Sequence, residues 1–241
     1  RDMSLSVGFN WDKYDHNITS FNMPSYLYSA GGPKIFYMKE GTQYASFWGT
    51  KWASDTKQLP EADQASSSQF QVNDDGYLVW VGDGNTYKDG IAKTLWGKTS
   101  SGMSQTYNWG RPIQYVDADG ESIHQIGTSV SDFGYAFNAN LRVQGLSVFV
   151  LFDGQSGGNI YNHTRQWGAR EAATGDVDQY GKEDGLKKPT IYYRDLYHVN
   201  APNDFYVEDG SYLKLRELAV KFNIASLADL RGFDVSGLNV G

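Results

Sequence analysis

Gly154-Gln155-Ser156-Gly157-Gly158 fits G-x-S-x-G, the spacing that exposes a serine Oγ on a sharp strand-to-helix turn in many hydrolases. That chemistry needs a helix straight after the serine, and a histidine and an acid held beside it. Asn159-Ile160-Tyr161-Asn162 follows without a helical period, and no spacing places His163 or His198. The run reads better as a glycine-rich passage from strand to loop. Asp74-Asp75-Gly76, Gly82-Asp83-Gly84-Asn85 and Asp117-Ala118-Asp119-Gly120 carry carboxylates in clusters. None matches the calcium loop of about twelve residues with its terminal glutamate. Asp and Gly are also ordinary turn formers, so turns are expected there. No segment singles out a carboxylate pair for glycoside hydrolysis. The chain is therefore expected not to be an enzyme and to hold no metal or cofactor.

Aromatic side chains offer a second chemistry. Trp80, Trp96, Trp109, Trp167, Tyr192 and Tyr193 have flat apolar faces on which sugar rings can stack. A soluble β-sandwich carbohydrate-binding module is the alternative that follows from them. The same residues serve equally as packing for long loops.

The elements that must position these groups are strands. From Phe133 to Val143 apolar Phe133, Tyr135, Phe137, Ala139, Leu141 and Val143 alternate with Gly134, Ala136, Asn138, Asn140 and Arg142. Alternate side chains of a strand point to opposite faces, so one face is oily and the other polar. The row has about the 9–11 residues that a tilted strand needs to cross a bilayer. Gln144-Gly145 predicts a tight reversal, and Leu146 to Phe152 returns. Two architectures fit: a sandwich with the oily row packed on another sheet, or a membrane barrel with that row against lipid. In the barrel, Asn138, Asn140 and Arg142 face a wet lumen. Met3, Leu5, Val7, Phe9 and Trp11 repeat the pattern against Ser4, Ser6, Gly8 and Asn10. Trp11 and Tyr14 have the amphipathic rings favoured at a membrane interface.

Composition excludes some classes. In 241 residues the charge is -7 with no basic cluster, which argues against a nucleic-acid partner. There is no cysteine, hence no disulfide frame and no thiolate chemistry. No run approaches the roughly 18 apolar residues of a membrane helix, whereas a barrel with a polar inner face fits the composition. The start, Arg1-Asp2-Met3, shows no signal peptide and leads straight into a strand, so an upstream part is expected.

Between the strands lie long polar stretches. Residues 15–41 are irregular, with a strand-like piece at Lys34 to Met38. Tyr44 to Trp52 reads as a strand in which Gly49 marks a bulge or a close backbone approach. Ala53 to Ser131 is turn-rich, with a short strand at Tyr77 to Val81. Asn159 to Asp209 is a second excursion, and its Trp167, Tyr180, Tyr192, Tyr193 and Tyr197 are the expected contacts with an external substrate or lid. Short turns alternating with such loops are a habit of outer-membrane barrels. In Ser211 to Ile224, Leu213 and Leu215 share one phase while Leu218, Val220, Phe222 and Ile224 take the other, which predicts a β-bulge near Arg216-Glu217. A turn is expected over Ala225–Gly232 and a further strand over Phe233–Val240.

Three segments carry a resemblance. EDGSYLKLRELAVKF (Glu208 to Phe222) resembles the DGSYLRLKN/RE segment near the end of SusC/RagA-family TonB-dependent outer-membrane transporters. FNANLRVQGLSVFVLFDGQSGGNIYN (Phe137 to Asn162) is similar to the family's hairpin ending in G-Q-x-G-G-x-x-x-N. KEGTQYASFWGTKW (Lys39 to Trp52) is similar to its x-E-G-x-P-x-G-x-F-Y-G-Y-K strand, with Gln43 where proline is usual and Gly49-Thr50-Lys51 in place of glycine-tyrosine-lysine. The three occur in the family's order.

The resemblance implies an all-β fold, an incomplete antiparallel transmembrane β-barrel with long extracellular loops. Residues 1–241 would be a partial C-terminal barrel domain with about six principal strands out of roughly 22, without plug, signal peptide or last strands. It implies nutrient uptake in a Gram-negative outer membrane, with glycan or peptide cargo and a TonB complex acting through the plug. It also implies a SusD-like surface lipoprotein and outer-membrane lipid as partners.

Overall fold

The computed structural model of the chain describes residues 3–29, 32–90, 94–197, 201–223 and 239–240. In chain order the strands are β1 (Met3–Asp12), β2 (Tyr26–Tyr28), β3 (Phe36–Met38), β4 (Ser46–Thr50), β5 (Phe70–Val72), β6 (Leu78–Trp80), β7 (Ile123–Thr128), β8 (Phe133–Val143), β9 (Leu146–Ser156), β10 (Asn159–Tyr161), β11 (Val207–Asp209), β12 (Tyr212–Asn223) and β13 (Asn239–Val240). Among the described residues two short α-helices, α1 (His163–Arg170) and α2 (Thr190–Tyr197), and several 3-10 turns interrupt the β pattern. The fold is thus mostly β with antiparallel sheets, and no closed barrel forms among the described residues.

The chain divides into two compact units. The first comprises Arg1–Asp15, Ser129–Asn159 and Asp209–Gly241; the second comprises His16–Thr128 and Ile160–Glu208. The first unit is one antiparallel sheet in the order β1-β8-β9-β12-β13. Its β8–β9 hairpin reverses at Gln144 and Gly145, both with positive φ (47° and 88°), the geometry whose twist suits a two-residue hairpin. The register between β9 and β12 shifts between Leu215 and Glu217, where the phase change in the sequence predicts a bulge. The turn expected over Ala225–Gly232, and all of the last strand except Asn239–Val240, lie outside the described residues, as do Ile224 and His198.

The second unit holds what the sequence presents as loops. Its four-stranded sheet runs β2-β3-β4-β7, and β5 pairs with β6. This corrects the count of principal strands: within Tyr44 to Trp52 only Ser46–Thr50 forms a strand, and this β4 pairs with β3 and β7 and not with the long strands. At five residues and almost wholly buried, β4 is too short to span a bilayer. Gly49 marks a close backbone approach, while the bulge of this pair falls on the partner strand, where Ile126 of β7 is the extra residue. The register slips between Phe47 and Trp48, and a Cβ at Gly49 would collide with the Pro202 carbonyl.

One core cluster of this unit gathers Leu59, Phe70, Leu78, Trp80, Tyr107 and Trp109; another gathers Trp52, Tyr192, Tyr193 and Leu196. The acidic turns act through their side chains. Asp117 accepts from the amides of Asp119 (3.0 Å) and Glu121 (2.8 Å), and Asn73 does the same for Asp75 and Tyr77 (both 3.0 Å). The two excursions are fastened together by polar contacts. Asn73 Nδ2 donates to Tyr192 Oη (2.8 Å), Tyr192 Oη donates to Asp75 (2.7 Å), Lys188 Nζ meets Asp74 (2.6 Å), and Arg111 forks onto Asp195.

Candidate lipid-facing sheet and aromatic cavity

In an antiparallel pair, residues directly opposite each other share a face. The register therefore builds the first unit's apolar face row by row. Phe9, Phe137, Phe152 and Leu215 form one row across four strands. Val7, Ala139, Val150 and Leu218 form the next; Leu5, Leu141, Val148 and Val220 follow; Met3, Val143, Leu146 and Phe222 close the series. The bulge is what keeps Leu213 and Leu215 on the face occupied by Leu218 and Val220.

This face has no cover within its unit among the described residues. Met3, Leu5, Val7, Phe9 and Trp11 are each more than half exposed, as are Leu213, Leu215, Leu218 and Val220. Burying each such side chain is worth roughly 1.5–3 kcal/mol, so an apolar sheet left in water is strongly unfavourable. The ten residues of β1 rise about 33 Å, or roughly 23 Å along the membrane normal at a 45° tilt, close to an apolar band of about 25 Å. Aromatics collect at one rim, where Trp11 lies opposite Tyr135 and its ring centroid is 6.3 Å from that of Phe133.

The opposite face is polar on β1 and β8, while on β9 it carries Phe149 and Leu151 between Ser147 and Asp153. Asn138, Asn140 and Arg142 lie on it together, opposite Gly8, Ser6 and Ser4 on β1. Small β1 residues make room for them: a Cβ on Gly8 would come within 2.7 Å of the Asn138 amide. Ser147 Oγ reaches Asn140 Oδ1 at 3.5 Å. Sequence reading missed the strongest feature of this face. Asp153 on β9 is gripped by the Arg216 fork, Tyr212 Oη donates to it at 3.4 Å, and Lys214 Nζ stands 4.4 Å over the Tyr212 ring. Arg216 is the extra residue of the bulge, so the available signal was a cation placed at the predicted slip.

The G-x-S-x-G run lies at the end of β9. Ser156 pairs with Phe133, and β10 follows where an elbow needs a helix.

The five aromatic residues expected as external contacts separate. Tyr192 and Tyr193 are core residues (0% and 4% exposed), which corrects their assignment as external contacts: packing against Trp52 and Leu196 leaves them no free ring face. Tyr180 is almost wholly exposed and stands in a turn. Trp167 and Tyr197 meet, with ring centroids 6.5 Å apart, at a cavity of about 440 Å³ that Pro33, Lys34, His163 and Gln166 also line.

Helix α1 sets that wall. Asn162 caps it by accepting from the Arg165 amide at 2.8 Å. Gln166, nearly buried, donates to the Tyr197 and Ala201 carbonyls (3.0 and 2.9 Å) and accepts from Tyr161 Oη (2.8 Å). Arg165 forks onto Asp176 (2.7 Å to each oxygen) and stacks 4.6 Å over Phe205. This fork holds Asp176 below the usual carboxylate range. Asp204 is displaced the other way: burial pushes its carboxyl up to about 6, although the Trp52 amide donates to it at 3.2 Å.

No protein-family model matches the chain, and no curated protein matches it. Among solved structures it is similar to one described as the RagAB peptide transporter, at TM-score 0.49 and 16% identity. The likeness covers 99% of this chain and 23% of that one, so the chain spans less than a quarter of the length of the structure it resembles.

Proposed function

We propose that the chain forms part of the barrel wall and the external loops of an outer-membrane importer, and that it has no catalytic role. The observation that carries this reading is the uncovered apolar face, aligned in register over four strands of 10, 11, 11 and 12 residues, with a face behind it that is polar on β1 and β8. Hydrocarbon satisfies such a face without a second protein layer, whereas a soluble sandwich needs that layer. The SusC/RagA-like segments add the transport role. In this reading glycan or peptide nutrients are the cargo, a SusD-like lipoprotein is the lid, and a TonB complex supplies energy through a plug. Asn138, Asn140 and Arg142 line the lumen.

Cysteine labelling tests it. The 241 residues contain no cysteine, so each variant reports one position within them. In the full-length protein, Val7→Cys, Val148→Cys and Val220→Cys are expected to resist a charged maleimide and to contact a lipid-dissolved spin probe. Ser6→Cys and Ser147→Cys are expected to behave oppositely. Equal reaction of both sets with the charged reagent overturns the assignment.

A further inference from the structure

The cavity beside α1 has a one-sided chemistry. Its walls are apolar or neutral except for Lys34, and no carboxylate lines it among the described residues, in a chain of net charge -7. Lys34 makes no ion pair among those residues, so its ammonium is available. Trp167 Nε1 donates to His163 Nε2 at 2.8 Å. With Nε2 accepting, the neutral imidazole carries its proton on Nδ1, which makes that nitrogen a donor. It lies on the Gly32 side, 3.6 Å from where a Cβ on Gly32 would stand.

The ring surface is equally prepared. Trp167 is 43% exposed, its N–H is already used, and Arg170 stands 5.1 Å from the ring centroid. Tyr197 presses edge-on against it, and Gln166 ties the helix beneath to the Tyr197 carbonyl. An indole fixed from several sides loses little freedom when a ring stacks on it. A volume near 440 Å³ suits a small molecule, since such sites run from roughly 300 to 1,000 Å³.

We propose that this cavity captures a carboxylate borne on a compact ring, the ring lying on Trp167 and the carboxylate meeting Lys34 and the His163 Nδ1–H. A uronic acid and an aromatic acid are two sources of that chemistry. The site deepens the importer reading by naming a charge preference for its cargo, and it rests on that reading only for its use in uptake.

The test is ligand binding to the full-length protein in detergent, by calorimetry and by the fluorine resonance of 5-fluorotryptophan at Trp167. Glucuronate, glucose, benzoate and lactate are the probes. Glucuronate or benzoate is expected to bind roughly tenfold or more tighter than glucose, because a charged hydrogen bond is lost with the neutral sugar. Whichever acid binds tighter identifies the source. Lactate, lacking a ring, is expected to bind more weakly than either. Lys34→Gln, at an exposed position, is expected to abolish the preference for acid. Trp167→Leu is expected to weaken all ring ligands, while Trp167→Phe retains most of the binding. Glucose binding as tightly as glucuronate, an acid preference that survives Lys34→Gln, or no binding of either acid overturns the proposal. Lipid-probe labelling of the long strands reads a different set of residues, so the two readings fail separately.

Discussion

Leu215 and Leu218 are three positions apart, yet both project from the same face of the sheet, opposite Phe152 and Val150 respectively. In an unbroken strand they would face opposite ways. The extra residue between them, Arg216, restores the phase.

Deletions in β12 are therefore expected to have unequal effects. Removing Arg216 erases the bulge and leaves Leu213, Leu215, Leu218 and Val220 on one face. Removing Ala219 turns Val220 to the polar side and Lys221 to the apolar side. In the full-length protein, the folded band on unheated gels is expected to persist for the first deletion and vanish for the second. Equal loss in both counts against the facing.

Substitutions in β8 address the same face from another strand. Phe137→Arg places a cation among the apolar rows, which in the proposed barrel is expected to cost ~2–4 kcal/mol near mid-membrane. Asn138→Arg places it on the polar side and is expected to cost far less. Urea titration of folding into lipid vesicles measures the difference.

Arg165→Lys is expected to loosen the second unit by about 1–3 kcal/mol, because an ammonium reproduces neither the fork onto Asp176 nor the stack on Phe205. Faster amide exchange and faster proteolytic nicking around Gly175–Leu186 are the readouts. Unchanged protection would mean that the fork is incidental.

Asp204 gives a pH dependence of known sign. Its folded carboxyl titrates at about 6, above the unfolded value, so the folded state holds the proton more tightly. Its contribution to stability is greatest below the unfolded value, falls as pH rises through the intervening window, and is lost above about pH 6. Asp204→Asn is expected to remove that slope, worth up to about 3 kcal/mol. Asp176, whose shift has the opposite sign, is present in both proteins and cancels in the difference. Amide exchange at Trp52, compared between wild type and variant from pH 4 to 7, reads the effect.

The long strands were legible because their information is local. The alternation in β1 and β8, the Gln144-Gly145 reversal and the phase slip in β12 each occupy a dozen residues or fewer. The second unit was not legible for the converse reason. Helix α1 has eight residues, too few to be stable alone, and persists through the Asn162 cap and the tertiary bonds of Gln166 and Arg165. Strand β7, Ile123–Thr128, carries weak alternation and is fixed by pairing with β4. Tyr192 reads as an exposed ligand contact until its partner Asn73, 119 positions away, is known. Gly49 was the exception, because a glycine inside a strand announces a close neighbour without naming Pro202.

The pairs Asn73–Tyr192, Asp74–Lys188 and Arg111–Asp195 each join one excursion to the other. A chimera that grafts only one of these inserts from a related chain leaves Tyr192, Lys188 and Asp195 facing strangers, so the packing of either insert can be transplanted only when both travel together.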